Sequence, residues 1–170
     1  FIVKHIMNVL SENKVDLWEP IVAVEIIQAT SNALDVTGIK VNDIELASIS
    51  NNHDVSSYEP IIELGAKLGA KNLISSAWIT KQDDRNFIID QFSSICEISQ
   101  TYELSVALEF PTFSRLVNLK DAVDIVEAAN QVNGGILIDT LYMHMSRVDS
   151  TELEGLPPEW FKFIQVSDVA

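Results

Sequence analysis

The sequence predicts an α/β fold built around a parallel sheet, and two features lead to this prediction. Short runs rich in Ile, Val and Leu recur along the chain, and their first residues are separated by 33, 32, 31 and 26 residues. Segments with helical periodicity lie between these runs. Repeats of strand, crossover helix and strand have this spacing, and they make consecutive strands parallel. The predicted strands are residues 39–49, 72–79, 104–110, 135–141 and 161–167.

Helix signals fill three of the intervals between strands. Pro60 suits the first turn of a helix that runs to about Gly69, because proline favours the start of a helix and glycine its end. In the two later segments the apolar residues share one helical face: Ile88, Phe92 and Ile95 within 83–99, and Leu119, Ala122, Val123 and Val126 within 119–129. We interpret both faces as core.

Two closures of the sheet cover both of its faces, an open doubly wound sheet and a (β/α)8 barrel. A complete barrel has about 250 residues, or roughly 30 per unit. The chain has 170 residues and five clear units, with residues 1–6 as a candidate sixth strand. We therefore expect residues 1–170 to form a single domain that is an incomplete portion of a barrel. The intact protein is expected to supply the other units, because unpaired strand edges are unfavourable.

Composition excludes several partners. The chain has 11 Lys and Arg against 25 Asp and Glu, and its net charge of −14 repels phosphate, so we expect no nucleic-acid partner. The apolar run 21–27 contains Glu25 and is far shorter than the roughly 20 residues of a membrane helix, so we expect no membrane partner. A single cysteine, Cys96, excludes an internal disulfide and suits a reducing cytoplasm. We interpret Cys96 as a buried structural thiol.

Polar side chains follow the apolar residues of four predicted strands, namely Glu45, Glu109, Asp139 and Gln165, with Asp168 shortly after. In a barrel the C-terminal ends of the strands meet at one rim, where active sites lie. Carboxylates that meet there repel one another unless a cation or a shared proton intervenes. Two carboxylates and an amide oxygen suit a divalent ion, so we predict a metal. Taken singly, each carboxylate also fits a hydrogen-bonded strand end, and Glu45 also fits a pair with a lysine.

Five segments follow one another in a recognisable order: DIEL from Asp43, YEPIIELGAKLGAKNLI from Tyr58, ALEFP from Ala107, NGGILIDTL from Asn133 and LPPEWFKFIQVSDV from Leu156. Together they resemble the sugar phosphate isomerase/epimerase family of xylose isomerase-like TIM barrels, over about residues 39–170. The resemblance implies a (β/α)8 barrel and a divalent metal ion (Mn, Mg, Co or Zn) held by Glu109, Asp139 and Gln165. The fourth ligand of the family would lie beyond Ala170. Many relatives have His at the position of Gln165. The 3-dehydroshikimate dehydratase-like branch is similar to this chain in having Gln there.

The activity implied by the resemblance is isomerisation or epimerisation of a sugar or related hydroxy-ketone by proton abstraction next to a carbonyl. Glu109 is the candidate base. Relatives often have His three residues after the strand Asp, where this chain has Tyr142, with His144 two positions later. His144 is a candidate catalytic acid or base, or else a surface histidine. Tyr142 is a candidate donor to a substrate hydroxyl, or else a packed aromatic.

Three further side chains are candidates for substrate binding. Arg115 and Arg147 follow two of the strands and either hold an anionic group or serve solubility, and Glu45 lies at the same rim. Two other functions stay open, a 3-dehydroshikimate dehydratase-like lyase and a non-catalytic sugar-binding barrel, which Tyr142 in place of His favours. The expected ligand is a small-molecule sugar or polyhydroxy ketone, and the sequence leaves a homo-oligomer open.

Overall fold

The computed structural model describes residues 20–79 and 85–167, and the chain divides into two compact units, Phe1–Lys40 and Val41–Ala170. The described part of the first unit is one helix, α1 (Pro20–Thr37), which the sequence analysis did not predict. At its end Gly38 has a φ of 69°, and its N–H donates to the Leu34 carbonyl at 2.8 Å. Glycine is the residue that adopts this left-handed conformation without strain. The candidate strand 1–6 lies outside the described residues, and the single-domain assignment stays a prediction.

The second unit contains a sheet of five parallel strands that lie side by side in chain order. The strands are β1 (Asp43–Ile49), β2 (Asn72–Ala77), β3 (Ser105–Leu108), β4 (Gly134–Asp139) and β5 (Phe161–Gln165). Every residue of β2 and β4 is buried, as expected for parallel strands covered on both faces. The predicted parallel sheet is confirmed.

Helices connect the first four strands close to the predicted positions: α2 (Glu59–Lys67), α3 (Arg85–Gln100) and α4 (Leu119–Ala129). Helix α4 has the predicted bounds. Asn118 accepts a hydrogen bond from the Asp121 N–H at its start, and Asn130, with a φ of 48°, ends it. Short 3₁₀ helices occupy Val55–Tyr58, Ser150–Leu153 and Pro158–Trp160. In the described ranges, no helix is both long enough and apolar enough to cross a membrane.

The strands are shorter than predicted, most informatively at β4. The predicted strand runs to Leu141, but Thr140 already begins a short helix, α5 (Thr140–Met145). The Asp139 side chain accepts a hydrogen bond from the Leu141 N–H at 2.7 Å and so caps this helix. A continuous apolar run does not distinguish a strand from a buried helix turn, which is why the boundary was missed.

The sheet separates two apolar layers. On one face, residues such as Leu73, Val106 and Ile136 join a large core with apolar residues of α2, α3 and α4. On the opposite face, which we call the inner face, Ile74, Ala107 and Leu137 form a smaller buried cluster with Phe163. Side chains alternate between the two faces along a strand, so this inner cluster determines which later residues share its side.

Cys96 lies in α3 with no exposed surface, and burial is the main cause that raises the pKa of its thiol to about 12. A thiol with this pKa is fully protonated at neutral pH and therefore unreactive. The interpretation of Cys96 as a buried structural thiol is confirmed.

Candidate active site

Three of the predicted site residues lie on the inner face at the C-terminal ends of adjacent strands. Each comes two positions after a member of the inner cluster, so strand alternation directs it to the same side: Glu109 after Ala107, Asp139 after Leu137, and Gln165 after Phe163. Asp139 and Gln165 are direct partners in the parallel ladder between β4 and β5. Backbone pairing therefore brings together side chains that are far apart in sequence.

Glu109 is a half-buried carboxylate to which no described residue donates a hydrogen bond. The pKa of its side chain is raised to about 7, first by burial and then by the negative charges of Asp139 and Glu45. Such a carboxyl group exchanges a proton readily at neutral pH. It is the most electrostatically perturbed carboxylate among the described residues.

Asp139 is buried, with 6% of its surface exposed, and uses both of its oxygens. Oδ1 caps α5 through the Leu141 N–H, and Oδ2 accepts a hydrogen bond from the Ser167 Oγ at 3.3 Å. The Thr140 hydroxyl also donates to the Ser167 carbonyl at 3.0 Å and accepts from the Ser167 N–H at 2.9 Å. These bonds fix the Asp139 carboxylate at the junction of β4, α5 and the end of β5.

Glu45 and Gln165 complete the polar group. Glu45 lies in β1 at a bulge, where Ile44 pairs with Leu73 and Ala47 pairs with Ser75. Its exposed side chain accepts a long hydrogen bond, 3.4 Å, from the Gln165 amide nitrogen. This contact leaves the Gln165 amide oxygen available to a ligand. The alternative role of Glu45, a pair with a lysine, is not observed: no described lysine forms an ion pair with it.

The donor atoms of this group are of the types that divalent cations accept. No three His, Cys, Asp or Glu side chains of the described residues are placed to hold a metal ion together. The candidate set consists instead of the Glu109 and Asp139 carboxylates and the Gln165 amide oxygen, which are donors that hard or borderline ions accept. Burial first, and then repulsion from Asp139 and Glu45, disfavours the charged form of Glu109, and a cation would offset both effects.

Aromatic side chains lie beside the carboxylates. The Tyr142 ring makes an edge-to-face contact with Phe113, with 5.8 Å between the ring centroids. Burial, followed by the charges of Glu109, Asp139 and Glu45, raises the pKa of Tyr142. Phe113 contacts Trp78 in turn, at 5.6 Å between centroids. Sequence reasoning missed Phe113 and Trp78, although each follows a strand by only a few residues, and that position was the available signal.

The remaining predicted residues lie elsewhere or make no direct contact with the carboxylates. His144 in α5 and Arg147 in the turn after it are exposed, and neither forms a hydrogen bond or ion pair with them within the described ranges. Arg115 follows β3, and its N–H donates to the Ala77 carbonyl at 2.9 Å. Its side chain lines a pocket of about 120 Å³ together with residues of α3 and α4. The roles of these three residues stay predictions.

Comparisons with known proteins identify the fold. No protein-family model matches the sequence, and no curated protein matches it. Solved structures do match. They include the IolI protein with a bound zinc atom (TM-score 0.71, 19% identity, 84% of this chain and 56% of that one). A second is a xylose isomerase-like TIM barrel/4-hydroxyphenylpyruvate dioxygenase fusion protein (TM-score 0.73, 16% identity, 84% of this chain and 24% of that one). A third is the 3-keto-D-glucoside 4-epimerase YcjR from E. coli (TM-score 0.73, 16% identity, 85% of this chain and 65% of that one).

The fold is that of a TIM barrel, and the structures that it resembles include a xylose isomerase-like TIM barrel and a sugar epimerase. The chain spans between about a quarter and two thirds of the length of these structures, so its five strands correspond to part of a (β/α)8 barrel. The predicted fold class is confirmed, and the resemblance noted in the sequence is confirmed at the level of the fold. In barrels of this kind active sites lie at the C-terminal ends of the strands, which is where Glu109, Asp139 and Gln165 are found.

Proposed function

We propose that this chain carries part of the active site of a divalent-metal-dependent isomerase or epimerase that acts on a sugar or related hydroxy-ketone. The observation that carries the proposal is Glu109, a half-buried carboxylate with a pKa of about 7 close to Asp139 and Glu45. An ordinary surface carboxylate is fully ionised at neutral pH. The fold alone would not support a particular activity, because barrels host many reactions.

Glu109, Asp139 and Gln165 would hold the metal ion. A divalent ion held there would act as a Lewis acid toward a substrate carbonyl. Asp139 is suited to this role because its hydrogen bonds to the Leu141 N–H and the Ser167 hydroxyl fix its position. The zinc atom in the IolI structure, a neighbour in fold, supports a metal in this protein as well.

Glu109 would also move the proton. The pKa of about 7 belongs to the metal-free protein, and a bound cation would lower it. The ionised Glu109 carboxylate, at the edge of the metal site, would take a proton from carbon next to a carbonyl and return it. Return to the opposite face gives epimerisation, and return to the neighbouring carbon gives isomerisation. Tyr142, within electrostatic range of Glu109, would donate a hydrogen bond to a substrate hydroxyl. His144 is the proposed second acid or base, and Glu45, Arg115 and Arg147 are proposed to bind the substrate.

A lyase is the second candidate. Proton abstraction followed by loss of a β-hydroxyl group gives dehydration, and it requires the same base at the same place. Gln165 favours the lyase hypothesis, because the 3-dehydroshikimate dehydratase-like branch has Gln on the corresponding strand. The third candidate is a barrel that binds a sugar and catalyses no reaction.

Metal binding by the intact protein tests the proposal. We expect isothermal titration of the chelator-treated protein with Zn²⁺, Mn²⁺, Co²⁺ or Mg²⁺ to show one site for at least one of these ions. Glu109→Gln and Asp139→Asn should each weaken binding by about tenfold or more, since each removes a charged ligand. Glu127→Gln, on the exposed surface of α4, is the matched control. No binding by the unmodified protein, or equal binding by all variants, would refute a metal site at these residues.

Solvent deuterium exchange tests the chemistry separately. Ketohexoses, a keto-inositol and 3-dehydroshikimate would each be incubated with the metal-loaded protein in deuterated water and followed by NMR. Deuterium next to the carbonyl of one compound, lost in Glu109→Gln, is the expected result. Metal binding without exchange or turnover of any compound would favour the non-catalytic reading.

A further inference from the structure

A row of three aromatic rings, Trp78, Phe113 and Tyr142, lies at the same end of the sheet as the carboxylates; Trp78 and Phe113 are exposed and Tyr142 is half-buried. Trp78 follows β2, Phe113 lies in the loop after β3, and Tyr142 lies in α5 directly after β4. These strands are neighbours in the sheet, so the row runs across the C-terminal ends of three adjacent strands. Consecutive ring centroids are 5.6 and 5.8 Å apart, which is contact distance for aromatic pairs. The proposed reaction uses only Tyr142.

The Trp78 end of the aromatic row is held in a fixed orientation. The indole N–H donates a hydrogen bond to the Ser76 hydroxyl at 2.7 Å, and Ser76 is fully buried. Ser76 comes two positions after Ile74 and therefore shares the inner face with Glu109 and Asp139. The Trp78 backbone N–H also donates to the Ile49 carbonyl at 2.8 Å. Even so, 39% of Trp78 is exposed, so an oriented ring is presented to solvent beside the site.

Phe113 is the member of the row that folding explains least. It is 64% exposed, and its ring contacts the rings of the two other members of the row. Met145, which is 51% exposed and lies 3.9 Å from the Thr112 hydroxyl through its sulfur, extends the apolar surface. Aromatic surface that is exposed next to a few convergent polar groups is typical of a ligand site.

We propose that the aromatic row binds the apolar C–H face of a sugar or cyclitol ring whose oxygens reach Glu109 and Asp139. In a ring with equatorial hydroxyls, the axial C–H bonds form a flat apolar face and the oxygens project from its edge. The electron-rich face of an aromatic ring attracts such C–H groups. The row and the carboxylates lie at the same end of the sheet, so one cyclic molecule would meet both. This inference rests on the proposed function and narrows its substrate to a cyclic molecule whose ring contains the carbonyl, because a cyclic hemiacetal has no carbonyl.

Saturation-transfer NMR on the intact protein tests the proposal with two probes, methyl β-D-glucopyranoside and the open-chain polyol D-glucitol. We expect the glucoside to bind, with stronger saturation of the axial hydrogens on one ring face than of those on the other. Phe113→Ala should weaken glucoside binding about 3- to 10-fold, the range expected for loss of one aromatic contact. Phe113→Tyr should retain binding, and the weaker binding of D-glucitol should be unchanged. Val132→Ala is the control, because Val132 is 81% exposed and precedes the opposite end of β4.

Any of three results would overturn the proposal: absence of glucoside binding, equal saturation of both ring faces, or equal affinity in Phe113→Ala and the unmodified protein. If the third result is accompanied by a change in the sedimentation of Phe113→Ala, the row is a contact between copies. Metal titration of Phe113→Ala separates this inference from the proposed function. Face-selective sugar binding in a protein that binds no metal would support the row while refuting the metal-dependent reaction.

Discussion

Replacing Glu109 with glutamine should make the metal-free protein more stable at alkaline pH and should have little effect at acidic pH. Burial, and then the charges of Asp139 and Glu45, raise the pKa of Glu109 from 4.5 to about 7 in the folded protein. The folded state therefore binds a proton that the unfolded chain has already released. Proton binding by Glu109 makes its full contribution to the free energy of unfolding below pH 4.5, and this contribution is lost as the pH rises through about 7. Glutamine stays neutral and avoids the loss.

The magnitude follows from the two pKa values. Their difference, about 7 minus 4.5, would correspond to roughly 3 kcal/mol for a carboxylate fully shielded from water. Glu109 is only half-buried, so solvent screening reduces the effect, and we expect Glu109→Gln to gain about 1–2 kcal/mol at alkaline pH.

Urea unfolding in the presence of a chelator, at about pH 5 and about pH 8, measures this difference. Glu127→Gln should change the free energy of unfolding by less than about 0.5 kcal/mol at both pH values, because its carboxylate lies on the surface of α4. If Glu109→Gln is less stable than the unmodified protein at the higher pH, the carboxylate is stabilised by its surroundings, and the reasoning that makes it a base is wrong.

Two further predictions concern packing. Gly135→Ala should lower the free energy of unfolding by about 1–3 kcal/mol, because the new methyl group would collide with the Trp160 carbonyl and lie 2.5 Å from the Lys162 Cε. Gly134→Ala should cost less in the same thermal or urea unfolding experiment, since its closest contact would be 3.2 Å, and equal losses would contradict the argument. Cys96 should resist thiol reagents in the folded protein at about pH 8 and react once the protein is unfolded, because burial raises the pKa of its thiol to about 12. Rapid labelling without unfolding would show that α3 opens locally.

Much of the site was predictable because strand periodicity carries its geometry. Glu109, Asp139 and Gln165 each end an apolar run, and in parallel strands those ends meet at one edge. The double role of Asp139 was not predictable, because the helix that it caps begins inside a continuous apolar run. Trp78 and Phe113 were missed for a similar reason. An aromatic residue in a loop has no periodicity, and only its neighbours in space reveal a role.

The sequence by itself determined the alternation of parallel strands and helices, the carboxylates at the strand ends and the buried character of Cys96. Each of these depends on local periodicity or on the hydrophobicity of a short segment, which the order of residues records directly. Only the tertiary structure decided that Glu109 lies near Asp139 and Glu45, and that Trp78, Phe113 and Tyr142 form one row. Those relations join segments more than 25 residues apart, and strand register and packing place them together.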